Sequence, residues 1–210
     1  MRCVNIKGTS MNVAQPARLT LAGALWPATG IAPALRWAVL MVFGTAILWL
    51  SAKVHVPFWP VPMTMQTFAV LVIGAAYGWR LGSATMLLYL AEGAVGLPVF
   101  SGTPERGIGL AYMAGPTGGY LLGFVAAAAV VGWLAERGWD RGLLRGFAAM
   151  TLGHAVIFLF GVTWLSTLMG FDGAWAAGVA PFYLATLLKT ALATAFMPLA
   201  WHSVSARRPS

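Results

Sequence analysis

The chain of 210 residues holds a single cysteine, Cys3, which excludes an intramolecular disulfide and any cysteine-built metal cluster. Charge is scarce: 9% of the residues are Asp, Glu, Lys or Arg, against about 25% in an ordinary soluble domain. Acids are scarcest, five in all and widely spread: Glu92, Glu105, Glu136, Asp140 and Asp172. They do not make the aspartate-rich site that a metal-dependent prenyl transferase needs. There is no G-x-x-x-x-G-K-[ST] loop, so the chain is not expected to hydrolyse ATP by itself. It lacks an H-E-x-x-H pair, a His/Asp cluster with metal spacing, and a G-x-S-x-G elbow. Catalytic residues, a bound metal and a cofactor are therefore not expected. No repeat of 20–50 residues and no low-complexity tract is present.

Apolar residues fill the space: 60% of the chain is hydrophobic, and the mean hydropathy is +0.79. This is the composition of a multi-span membrane protein, embedded in a lipid bilayer as one domain. The net charge of +8 does not indicate nucleic-acid binding, because the basic residues stand singly between apolar runs. Arg2 and Lys7 open the chain, and Pro16, Pro27 and Pro33 punctuate the stretch up to the first long apolar run. Residues 1–33 read as a cytosolic extension, with Leu19–Trp26 a candidate interfacial segment, and residues 205–210 as a cytosolic tail.

Between them, residues 34–204 carry six apolar segments: about Ala34–Ala52, Met63–Tyr77, Leu81–Leu97, Pro116–Ala135, Leu144–Leu168 and Pro181–Ser203. The expectation is an all-α membrane protein of six transmembrane helices. With six spans, Arg2, Lys7, Arg18, Arg36, Arg80, Arg137, Arg141, Arg145, Arg207 and Arg208 share one side; only Lys53, Arg106 and Lys189 lie on or toward the other. The positive-inside rule then puts both termini in the cytosol of a plasma-membrane, multi-pass protein. The outer loops become residues 53–62, 98–115 and 169–180, longer and richer in Pro, Gly and aromatics than the inner turns near 78–80 and 136–143. Three broken helix ends cluster there: Val61–Thr67, Gly96–Gly102 and Gly115–Phe124. Irregular backbone at membrane depth survives where protein buries it or where it lines a cavity, so a ligand pocket is expected in the outer half. Small residues four apart (Gly74, Gly78, Gly82; Gly119, Gly123, Ala127; Ala34, Ala38) suit close helix packing, and self-association into a homo-oligomer stays open.

Lys189 is the sharpest candidate. It lies about 12 Å into the last segment, where a lysine is costly unless it meets an anion or snorkels. The readings are a cation for an anionic group on a ligand, a snorkelling lysine, or an ion pair with Glu92. Thr186 stands one turn above on the same face. Glu92 is expected within the bilayer, paired with Lys189 or Arg106 or accepting a ligand N–H. Glu105 and Arg106 either close over a ligand or form a solvated pair. Gln66 and Thr67 open the second segment, aimed at a pocket or at free backbone groups. Tyr120, Trp164 and Phe182 lie near outer ends, as an aromatic belt or as pocket wall. His154 reads as a packed, hydrogen-bonded histidine.

The runs V-P-M-T-M-Q-T (61–67) and L-L-Y-L-A-E-G-A-V-G-L-P-V-F-S-G-T-P-E-R-G-I-G-L-A-Y-M-A-G-P-T-G-G-Y-L-L-G-F (87–124), with the final P-F…K, resemble the BioY family. These are biotin-specific substrate-binding (S) components of energy-coupling factor (ECF) transporters. The resemblance implies a six-helix protein that captures biotin from outside, in a site formed by helices 4–6 and covered by outer loops. It implies an ECF transmembrane coupling subunit and ATP-binding subunits as partners. In that family an acid and, three residues later, a lysine of the last helix contact the ligand. Here the lysine is Lys189 and the acid's place is held by Thr186. A polar residue of the second outer loop also touches ligand there, and the nearest positions here are Thr103, Glu105 and Arg106. Beside this reading stand an S component for another vitamin, a small integral-membrane lipid enzyme and a purely structural membrane subunit.

Overall fold

The computed structural model describes residues 20–27, 32–57 and 59–205. The expectations for residues 1–19 and 206–210, and with them Cys3, Arg2, Lys7, Arg18, Arg207 and Arg208, lie outside the described residues. Seven helices succeed one another: α1 (Leu21–Leu25), α2 (Pro33–Lys53), α3 (Gln66–Ala94), α4 (Gly109–Met113), α5 (Gly118–Ala135), α6 (Leu143–Gly178) and α7 (Tyr183–Ser205). Two short strands, β1 (His55–Val56) and β2 (Met63–Thr64), pair antiparallel between α2 and α3. Among the described residues, four stretches are long and apolar enough to cross a membrane: Pro33–Lys53, Gln66–Ala94, Gly118–Ala135 and Leu143–Val204.

Two of these stretches reverse direction at a glycine. Gly78 sits inside α3 at φ 80° and ψ 172°, a region that only glycine occupies without strain. A Cβ built on Gly82 would lie 3.1 Å from the Gly74 Cα, whereas eight residues of straight helix span about 12 Å. α3 is thus a hairpin of two arms, split where the sequence places a break. Gly170 does the same in α6, at φ 76° and ψ 164°. A Cβ on Gly178 would lie 2.9 Å from the Leu165 side chain, so residues 171–178 fold back along the long arm. This corrects the expected open loop over 169–180: most of it is helix.

α5 is the central pillar. It packs on α3 at one side and α6 at the other, while α2 lies against α3, and α7 against α6 and α3. Its most apolar window is 67% buried, against 17% for α2, so α2 is peripheral. Close approach explains why small residues fill α5: a Cβ on Gly74 would lie 2.9 Å from the Ala128 Cα.

Within the stretch expected as an extension over 1–33, residues 21–25 form a packed helix. Leu21 and Ala22 of α1 are buried, α1 packs on α3 and α7, and Thr20 caps it by accepting from the Gly23 N–H at 3.2 Å. Arg36 closes its far end, its guanidinium donating to the carbonyls of Trp26 (2.8 Å) and Ala22 (3.0 Å).

Between α5 and α6, Asp140 is 2% exposed and accepts from the Trp201 Nε1–H at 2.5 Å. Burial pushes its carboxyl above the usual range, and the Trp201 bond and Arg141 only partly offset this. A raised folded-state value means the folded protein keeps the proton longer than the unfolded chain. Stability therefore falls as pH climbs from about 4 through the raised value. Asp140→Asn keeps an acceptor for Trp201 and removes the buried charge. The variant is expected to melt at or above the wild type at pH 7 and to lose this pH slope, as read by thermal unfolding in detergent.

Candidate functional site

One cavity gathers the broken ends predicted from sequence. Its walls come from Val61, Pro62, Thr64, Gln66 and Thr67, from Ser101 and Tyr112 in the stretch between α3 and α5, from Tyr120, Leu121 and Phe124 of α5, from Ile157 and Phe158 of α6, and from Phe182, Thr186 and Lys189. The lining is mostly aromatic and aliphatic, with a few placed hydroxyls and one cation, which is the make-up of a small-molecule site. The free space is about 60 Å³, well below the roughly 300 Å³ at which ordinary ligand pockets begin. A ligand must therefore part these walls to enter.

Lys189 is 9% exposed. Its Nζ donates to the Thr64 carbonyl at 2.5 Å and reaches the Thr67 hydroxyl at 3.4 Å. The expected alternative of an ion pair with Glu92 is not what the structure holds. Glu92 is half-buried elsewhere and accepts from Thr45 of α2 at 3.0 Å. A carbonyl satisfies an ammonium's hydrogen but leaves its charge uncompensated, so Lys189 retains an appetite for an anion.

Of the other sequence candidates, five share the cavity with Lys189: Thr186, Gln66, Thr67, Tyr120 and Phe182. Gln66 is pinned, its Nε2 donating to the Tyr89 hydroxyl at 2.7 Å. The Tyr120 hydroxyl donates to the Gly178 carbonyl at 2.8 Å, so its ring faces the cavity while its oxygen holds the folded-back end of α6. Five candidates lie outside it. Trp164 donates from Nε1 to the Gly115 carbonyl at 3.0 Å, tying α6 to the start of α5. Thr103 is buried with its hydroxyl on the Phe100 carbonyl at 2.7 Å. Glu105 is exposed, as is Arg106, whose guanidinium lies 5.9 Å from the centre of the Trp59 ring. Glu92 faces α2.

Ser101 is the residue that sequence reading passed over. It is 2% exposed, it lines the cavity, and its Oγ has no partner. The signal was a hydroxyl residue two positions after the aliphatic Val99, directly beyond Pro98 in the irregular backbone. Tyr112 supports it, donating to the Ser101 carbonyl at 2.8 Å; burial pushes this phenol up, so it stays a donor. Phe100 is wedged between Tyr89 (edge-on, 5.5 Å) and Tyr112 (stacked, 4.9 Å). A second, wider hollow runs between α6 and α7 past His154, which is buried with Nδ1 2.9 Å from the Thr190 hydroxyl. It carries no charged group.

The family model described as "BioY family" matches residues 19–206. A protein of Pyrococcus horikoshii named probable biotin transporter BioY is 36% identical over 73% of this chain and 89% of its own length. The Rhizobium etli protein named biotin transporter BioY is 37% identical over 70% of this chain and 79% of its own. Among solved structures, the S-component for biotin from an ECF-type ABC transporter superposes with a TM-score of 0.70 at 19% identity, covering 81% of this chain and 94% of that one; it has the same fold. A match across nearly the whole chain, with relatives of this similarity, means that the chain belongs to the BioY family.

Proposed function

We propose that this chain is the biotin-capturing S component of an ECF-type transporter, a membrane protein without catalytic activity. The observation that carries the proposal is the Lys189 ammonium, held by a backbone carbonyl and not by an acid, on the wall of an aromatic, hydroxyl-dotted cavity in a BioY family chain. Biotin offers an apolar bicycle, a ureido group with two donors and one acceptor, and a carboxylate tail. Lys189 meets the carboxylate. Thr186 and Ser101 are the hydroxyls within the cavity that can serve the ureido end, with Thr186 standing where the family carries an acid. Glu105 and Arg106 have no place in this reading beyond the outer surface.

The arrangement in the membrane follows from the two glycine reversals. The two arms of α3 with α2, α5, the long arm of α6, and α7 make six spans, with both termini cytosolic and the cavity in the outer half of the plasma membrane. Residues 34–204 form the transmembrane domain, with α1 added at its inner end. Entry starts at the Lys189–Thr64 bond: an incoming carboxylate takes Lys189 from the Thr64 carbonyl, which loosens the β1–β2 ribbon. Transport itself needs a coupling subunit and ATP-binding subunits.

Calorimetric titration of the purified protein tests the proposal. Biotin is expected to bind at one site, and a large excess of thiamine or riboflavin is expected not to displace it. Displacement by another vitamin would shift the reading to a different substrate; no biotin heat at all would end it.

A further inference from the structure

We infer that Lys53 is a positioning residue for the cavity: its ammonium fixes the backbone of residues 98–103 and so aims Ser101 inward. Lys53 ends α2 and lies outside the cavity, with an exposed side chain. Its Nζ donates to the Pro98 carbonyl at 3.0 Å and approaches the Phe100 carbonyl at 3.4 Å. The Thr103 carbonyl and hydroxyl are each 3.5 Å away. The Thr103 hydroxyl spends its own hydrogen on the Phe100 carbonyl, so its lone pairs are free for the ammonium.

Every carbonyl from 98 to 103 accepts a bond: Pro98, Phe100 and Thr103 from Lys53, Val99 from Tyr89, Ser101 from Tyr112, and Gly102 from the Arg106 N–H. Two of these carbonyls, Pro98 and Thr103, therefore hang on one side chain 45 and 50 positions away in sequence, and Phe100 shares it with the Thr103 hydroxyl. From 98 to 101 the carbonyls alternate between Lys53 and the two buried tyrosines. With the backbone committed in this way, the Ser101 hydroxyl is left without a partner on the cavity wall. A neutral residue at 53 strands the Pro98 and Thr103 carbonyls, leaves Phe100 only its Thr103 bond, and lets the run turn, so Ser101 and the Phe100–Tyr112 stack lose their register.

The inference rests on the biotin reading for its affinity arm alone. Lys53→Ala and Lys53→Gln are made in the full chain, with Lys53→Arg as the cation-keeping variant. Without ligand, trypsin is expected to cut after the exposed Arg106 several-fold faster in Lys53→Ala than in wild type. Biotin Kd is expected to rise roughly tenfold, the scale of one charge-assisted hydrogen bond, mostly through faster release. Ethylammonium chloride, but not equal sodium chloride, is expected to restore part of both properties by refilling the carbonyl-lined gap. Lys53→Arg should stay close to wild type. Unchanged cleavage in both neutral variants would overturn the inference, as would lost affinity without faster cleavage, which would make Lys53 a direct countercharge. Failure of the wild type to bind biotin would instead defeat the functional reading, and the cleavage arm would still decide the role of Lys53.

Discussion

Lys189→Met is expected to raise the biotin Kd by about two orders of magnitude or more while leaving the fold intact. Truncating one partner of a buried charged pair costs about 2–5 kcal/mol, because the remaining charge is left without a counterion; at about 1.4 kcal/mol per decade this is roughly thirty- to several-thousand-fold. The loss should vanish for biotin amide. That ligand carries no charge on its tail, so wild type and variant should bind it alike, and weakly. Equal losses for acid and amide would mean that the variant had damaged the cavity wall and not removed a countercharge. Stability should move little: methionine fills a similar volume, the lost ammonium was costly at this depth, and the Thr64 carbonyl loses one donor.

The second large effect concerns folding. Gly78→Val is expected to abolish accumulation of folded protein, whereas Gly142→Val should be close to silent. At Gly78 the backbone lies in a region closed to side chains, which costs about 1–3 kcal/mol. A Cβ there would also lie 2.6 Å from the Glu136 carboxylate and 2.8 Å from the Thr20 methyl. The arms of α3 cannot separate to relieve this, since Gly74 and Gly82 are nearly in contact across the turn. Gly142 has an extended φ of −129° and open space around its Cβ position. Yield of monodisperse protein and melting temperature read both variants. A folded Gly78→Val with wild-type melting would show that the hairpin does not need this backbone.

Much of this architecture was legible because hydropathy and backbone breaks are local properties. The apolar runs marked the helices, the Gly78–Trp79 break marked the turn in α3, and Pro98 marked the end of its second arm. A lysine eight residues into a hydrophobic segment stood out on energetic grounds alone, and it lines the cavity together with Gln66, Thr186, Tyr120 and Phe182. What escaped depends on which way backbone carbonyls point between distant segments. Lys189 rests on a carbonyl 125 positions away, and no pattern in the sequence foretells a lysine–carbonyl pair. The same holds for Lys53. Sequence points Glu92 toward Lys189 or Arg106, but its choice of Thr45 depends on the rotation of the second arm of α3 against α2, which a run of apolar residues on all sides does not specify. The folding-back of residues 171–178 was hidden because Gly170 sits in a stretch whose composition also suits an ordinary surface loop.

Arg36 has a practical bearing on any shortened form of the protein. Its guanidinium donates to the carbonyls of Ala22 in α1 and of Trp26 just past it, and α1 is a helix that composition alone would invite one to delete. A truncation starting after Trp26 would strip that cation of both carbonyl partners and open the apolar seat vacated by Leu21 and Ala22. The smallest well-behaved version should therefore begin ahead of Thr20, or exchange Arg36 for an aliphatic residue in the same step.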